Sequence, residues 1–302
     1  MLDCLRNDPS LRGIRGWESR GEIPHESRFS RAFADFAASQ LPQRLHAALI
    51  ENTRKDRPVG HILRDSTEIE AREMPVFKPV PITPSKSIRK RGRPQEGGQP
   101  APPEPTRIER QAKMTLQEML DELPRACNAG TKKNSKGYSK GCKETRVGYK
   151  LRIDAADGQI PVSCILASAS PHDSQAAIPP ARMTAQRVIS FYDLMDSAYD
   201  AQAVHAYSRG LGHIPLIDVH PRRDRVLKEE LQAEKKRCHR LKFNYAEDVR
   251  YHERTTVERV NARLKDEFGG RMIRVRGHAK VMCYPMFGIL ALAADRILRL
   301  VT

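Results

Sequence analysis

The six cysteines, at positions 4, 127, 142, 164, 238 and 283, form no Cys-x-x-Cys pair, and no histidine stands at zinc-ligand spacing from them. That excludes a structural zinc site and makes free thiols in a reducing cytoplasm the expectation, rather than a disulfide framework. No signal peptide is expected, because "MLDCLRNDPS" has no apolar core. The one long apolar stretch, "VMCYPMFGILALAADRILRLV", is interrupted by Pro285 and by Asp295-Arg296, so a buried helix is expected there rather than a membrane span. No internal repeat is visible.

What the chain does have is positive charge. Its 302 residues hold 53 Lys and Arg against 37 Asp and Glu, a net +16. Such a field favours a polyanionic partner, nucleic acid or an acidic membrane surface, and leaves the fold open. Half of the excess lies in residues 75–145, where fifteen basic residues face seven acids. Nine of the 21 prolines fall between 75 and 105, so this part reads as an extended basic linker or insertion.

The segments on either side differ. Residues 1–55 read as a helical segment, with Phe29, Phe33 and Phe36 at helical spacing and Leu45 and Leu49 continuing the pattern after Pro42. Its apolar face has few partners ahead of it, so an upstream portion is expected. "VGHILRDST" within 56–74 reads as a strand. From 146 the pattern is α/β. Two strands meet at an Asp157-Gly158 turn, a Pro-broken helical piece follows at about 173–186, and "RVISFYDLMD" reads as a strand buried on both faces. Asp200 is expected to cap the next helix and Gly212 to end it, "HIPLIDV" to form a further strand, and a long basic helical region to begin near 224.

The helical region contains the most informative spacing. On an ideal helix Tyr251, Arg254, Glu258 and Lys265 fall within an arc of roughly 60°, beside an apolar face of Val257, Val260, Leu264 and Phe268. Geometry alone allows an ordinary solvated stripe with an Arg254–Glu258 pair.

The element order resembles that of ribonuclease-H-like domains: an α/β mixed sheet flanked by helices, here with the basic Pro-rich insertion and the N-terminal helical segment. The spacing Tyr251, Arg254, Glu258, Lys265 resembles the signature around the catalytic Glu of bacterial insertion-sequence transposases of the DDE type. "FYDLMDSAYDA" and "HILRDSTEIEARE" are similar to the segments carrying the second and first acids, and "GTKKNSKGY", "GYKLRIDAADGQIP" and "HDSQAAIP" to further segments of that group. The resemblance implies Asp65, Asp196 and Glu258 as catalytic residues and ligands of two Mg²⁺ or Mn²⁺ ions. It also implies a double-stranded DNA partner, both transposon ends and target, and a homo-oligomer on that DNA, in a bacterial cytoplasm.

Three carboxylates gathered without a cation repel one another and raise one another's pKa. Two divalent ions about 4 Å apart relieve this and suit in-line displacement at phosphorus. Lys265 is expected at a DNA phosphate, with Arg254 and Tyr251 orienting Glu258 or contacting the same strand. Arg91 and Arg93, in "RKRGRP", resemble a minor-groove hook, and a merely basic linker remains open beside it. Among competing acids, Asp154 and Asp157 flank the hairpin and Asp193 lies in the buried run, while His172-Asp173 reads as structural. Arg146 stands where Trp is expected before "VGYKL", and Arg152 where His is usual. Two further readings stay open: an inactive remnant that only binds DNA, and a nuclease on the same fold.

Overall fold

A computed structural model describes residues 2–54, 57–76, 105–133, 141–219, 221 and 224–301. The chain opens with helices α1 (Leu2–Asn7), α2 (Pro9–Ile14), α3 (Glu26–Ala38) and α4 (Leu41–Arg54). The continuous helix expected over this region is broken before α4, where Gln40 adopts a left-handed φ of 51°. Strand β1 (Val59–Glu70) follows, and runs further than the sequence pattern implies.

The described residues 105–133 of the expected linker are folded. Helices α5 (Arg107–Gln111) and α6 (Leu116–Glu122) each begin with a capping box, Thr106 with Glu109 and Thr115 with Glu118. Strand β2 (Asn128–Lys133) then pairs with the first half of β3 (Lys143–Ala156). Polar "NAGTKK" has no apolar alternation to announce a strand, and its backbone pairing with β3 makes it one. Residues 77–104, with Arg91 and Arg93, lie outside the described residues.

β3 turns into β4 (Ile160–Ser168) through Gly158 and Gln159, both at positive φ, as the Asp157-Gly158 pair suggests. Helix α7 (Ile178–Ala185), β5 (Ser190–Met195), α8 (Gln202–Gly210) and β6 (Ile214–Ile217) complete the alternating part. β5 is not buried throughout, since Phe191, after the buried Ser190, remains 52% exposed. Four helices close the described chain: α9 (Arg225–Leu241), α10 (Ala246–Tyr251), α11 (Thr255–Asp266) and α12 (His278–Val301).

The sheet is mixed. β1 lies antiparallel to β3 and parallel to β5; β4 joins the far side of β3, and β6 runs parallel to β5. This is the ribonuclease-H-like arrangement anticipated above. One face buries Leu63, Leu151, Ile153 and Leu194 against Val257, Val260 and Leu264 of α11 and Val281, Met286 and Ile289 of α12. The α12 helix is long and apolar enough to cross a membrane, but here it is packed against the sheet, α3 and α4. The opposite face carries Ile178, Met195, Tyr199 and Val204 in a second cluster with Ile108 and Met119. Where β1 and β3 begin to pair, Gly148 has φ 156°, and a Cβ there would collide with the Ile69 carbonyl oxygen.

Candidate active site

Parallel pairing of β1 with β5 aligns Arg64 with Met195. The next residue on each strand is an acid, Asp65 and Asp196, so the register sets these two carboxylates side by side. Asp65 continues within β1, whereas Asp196 ends its strand and caps a short 3-10 turn, accepting a hydrogen bond from the Ala198 amide at 3.0 Å. Strand ends of this kind leave a side chain at the rim of the sheet, where α/β sites form.

Helix α11 approaches the same rim. Its buried stripe, Val257, Val260 and Leu264, docks on the sheet. That docking turns Asn261 toward β1, where Nδ2 donates to Asp65 Oδ2 at 2.9 Å. Asn261 was not among the residues singled out from sequence. A polar side chain among Val257, Val260 and Leu264 was the signal that could have found it, because a buried amide needs a partner.

Glu258 sits one turn before Asn261. Arg254 Nη2 donates to its Oε1 at 2.7 Å, with the Glu258 side chain 51% exposed. Tyr251, Arg254 and Glu258 do not share one regular helix, as the ideal wheel assumed. α10 ends at Tyr251, residues 252–254 form a 3-10 turn, and α11 starts at Thr255. Arg254 lies over the Tyr251 ring at 5.8 Å, so the two still share a corner. Lys265 is at the other end of α11, half-buried and surrounded by Glu68, Arg146, Arg271 and Glu70; burial lowers its pKa.

The electrostatics tie the acids together. Burial pushes the Asp65 carboxyl up to about 6, with Asp196 and Glu258 adding to the rise while the Ser66 amide and Arg254 oppose it. Asp196 is raised too, chiefly by burial and further by Asp173, against the Ala198 amide, Arg254 and His172. Arg254 faces Glu258, Asp65 and Asp196 at once and is the cation common to the corner.

The competing acids are committed elsewhere. Asp154 is buried and gripped by Arg64, with Thr184 Oγ1 donating at 2.8 Å. Asp157 accepts from the Gly60 and His61 amides and pairs with the His61 ring at 2.9 Å. Asp193 is buried between Ser208 and His213. Asp200 contacts His205 at 3.1 Å and does not cap α8, whose N-cap is Ala201; the expected cap is replaced by this side-chain pair. Asp173 accepts from Lys150 at 3.1 Å and from Arg152 at 3.2 Å. Arg152 thus fills its position as a fully buried cation, with Nε and Nη1 unpartnered among the described residues. Arg146 lies near the surface between Glu68, Glu70 and Glu144.

Among the described residues no three His, Cys, Asp or Glu side chains are close enough to hold one ion together. Asp65, Asp196 and Glu258 share a corner without converging on a point, and Glu258 is drawn to Arg254. The chemistry of the group nonetheless fits a hard divalent cation. All its donors are carboxylate oxygens, and the two Asp side chains carry like charge that burial makes costly.

Residues 62–293 match the model of one family, the transposase DDE domain. Neither a curated protein nor a solved structure matches the chain.

Proposed function

Because that match spans most of its length, the chain belongs to the DDE transposase family, and from that premise we propose that it cuts transposon ends and joins them to target DNA at the Asp65–Asp196–Glu258 corner. The observation that carries the reading is the β1–β5 register, which sets Asp65 beside Asp196 at the rim approached by α11. A basic chain with this corner suits a polyanionic substrate.

In the first reaction a water oxygen bonds to the scissile phosphorus, giving up a proton, and the 3′ oxygen leaves, taking up a proton. In the second, the freed 3′ hydroxyl oxygen bonds to a target phosphorus, its proton is lost, and a target 3′ oxygen leaves, taking up a proton. Asp65, Asp196 and Glu258 would hold two Mg²⁺ or Mn²⁺ ions, which would supply activation of the attacking oxygen and stabilisation of the leaving one.

The remaining roles fall to the chain. Asn261 and the Ala198 amide fix the two Asp carboxylates in orientation. Arg254 holds Glu258 and offsets the negative charge of the corner while it is empty of substrate. Tyr251, Arg254 and Lys265 contact the phosphates of the bound strand, and Arg91 and Arg93 reach the minor groove. Transposition needs two ends in one complex, so the working unit is a homo-oligomer on DNA.

The test uses purified protein with Mg²⁺ or Mn²⁺ and duplexes bearing the flanking inverted repeats. Cleavage at the repeat boundary, abolished in Asp65→Ala, Asp196→Ala and Glu258→Ala, is the expected result. Binding without cleavage would make the chain a remnant, and cutting indifferent to the repeats would make it a nuclease.

A further inference from the structure

Helix α9 has no buried residue. Its half-buried positions, Leu227, Leu231, Glu234 and Cys238, recur every three or four residues and form one side of the helix. Arg225, Lys228, Lys235, Lys236 and Arg240 occupy a different side. At 100° per residue they span an arc of about 140°. All five are exposed, and none of them is ion-paired within the described residues. Arg237, off this face, is by contrast paired with Glu234 at 2.7 Å. Glu229 is the one acid on the basic face.

The helix is tied to the next one at its far end. Tyr245 Oη donates to Glu234 at 2.6 Å, closing α9 onto the start of α10. Arg250 of α10 then lies 4.6 Å over the Tyr192 ring, which stacks on His61 at 5.5 Å. From Arg250 the chain runs directly through Tyr251 and Arg254 into the helix bearing Glu258. The basic face therefore belongs to a helix that leads through α10, tied to β5 by Arg250, into the chain of the candidate site.

A bare helix of this length is marginal in water, and five unpaired like charges on one side weaken it further. A polyanion laid along that side reverses the sign of the effect. Over its 17 residues α9 is about 25 Å long, matching about seven base pairs of duplex at 3.4 Å each. We propose that the basic face of α9 is a contact surface for the duplex that carries the scissile phosphate. The proposal rests on the transposase reading and adds to it a surface outside the chemistry.

The experiment compares full-length protein with a Lys235→Glu/Lys236→Glu/Arg240→Glu variant on inverted-repeat duplexes, titrated at several salt concentrations. Each phosphate contact contributes about 0.9 to the slope of log K against log salt, so loss of three contacts lowers the slope by about 2.7. Affinity near 0.1 M salt should fall at least about tenfold, and Glu229→Lys, which adds a cation to the same face, should tighten binding. A duplex shortened by about seven base pairs on the side that α9 covers should bind wild type and variant alike.

A slope equal to that of wild type in a folded variant, checked by circular dichroism, overturns the proposal. The same holds if the variant keeps the slope and changes only the oligomeric state in light scattering, which would assign the face to a second copy of the chain. If the triple Glu variant is unfolded, Lys235→Gln/Lys236→Gln/Arg240→Gln decides by the same slope. Failure of wild type to bind repeat DNA would instead sink the transposase reading itself.

Discussion

Arg64 and Asp154 meet as a bidentate pair inside the protein, Nε to Oδ1 at 2.8 Å and Nη2 to Oδ2 at 2.7 Å, with side chains 2% and 0% exposed. The pair crosses from β1 to β3, and the third guanidinium nitrogen of Arg64 reaches Met195 Sδ on β5. Asp65 and Asp196 are the next residues along from Arg64 and Met195. The charge that neutralises Asp154 thus ties together the strands that carry the two candidate acids.

Removing one partner leaves a buried charge without compensation. Arg64→Met should destabilise the fold by about 3–5 kcal/mol in urea unfolding, whereas Arg64→Met with Asp154→Leu should recover much of that loss. Equal instability of the single and double variants would contradict this account.

Asn261 separates packing from positioning. Asn261→Leu adds side-chain volume at a buried position and removes the donor to Asp65, so stability should fall by about 1–3 kcal/mol with the protein still folded. Repeat-end cleavage should nonetheless fall by about tenfold or more, because Asp65 loses the donor that fixes its carboxylate. Cleavage at the wild-type rate would show that the 2.9 Å bond is incidental.

Lys265→Ala tests the division of labour along α11. Binding to repeat duplexes should weaken, with the salt slope reduced by about 0.9, while Mn²⁺ affinity measured by calorimetry stays unchanged. Loss of ion binding in this variant would refute the phosphate role.

His46 gives a pH dependence away from the site. It is 1% exposed, and Nε2 donates to the Pro161 carbonyl at 2.9 Å. Burial, helped by Arg187, pushes its pKa down to about 4 from 6.5. The unfolded chain therefore takes up this proton first. The contribution is complete above pH 6.5 and is lost as pH falls toward 4, with a slope of up to about 1.4 kcal/mol per pH unit. His46→Gln keeps a donor and cannot titrate, so the wild-type minus variant difference in unfolding free energy should drop across that window. A flat difference would rule His46 out.

The strands were legible where apolar runs and turn residues coincide, as in "GYKLRIDAADGQIPVSCILAS" and "HIPLID". The apolar stripe of α11 was legible for the same reason. β2 was not, because "NAGTKK" becomes a strand only through its backbone pairing with β3. Long-range partnerships such as Arg64 with Asp154 or Asn261 with Asp65 leave no local periodicity. The 3-10 turn at 252–254 was hidden by the assumption of an ideal helix, which overstated how rigidly Tyr251 and Arg254 are linked to Glu258.

That turn divides the corner by tempo. β1 pairs with β3 on both sides of Asp65 and with β5 up to Arg64, so the amides around Asp65 exchange with deuterium only when these strands part. Those at 251–255 need only a brief fraying of one short turn. Asp65 and, through the docked stripe of α11, Glu258 are thereby fastened to slow parts of the molecule, and Arg254, the cation that holds Glu258, to a quick one.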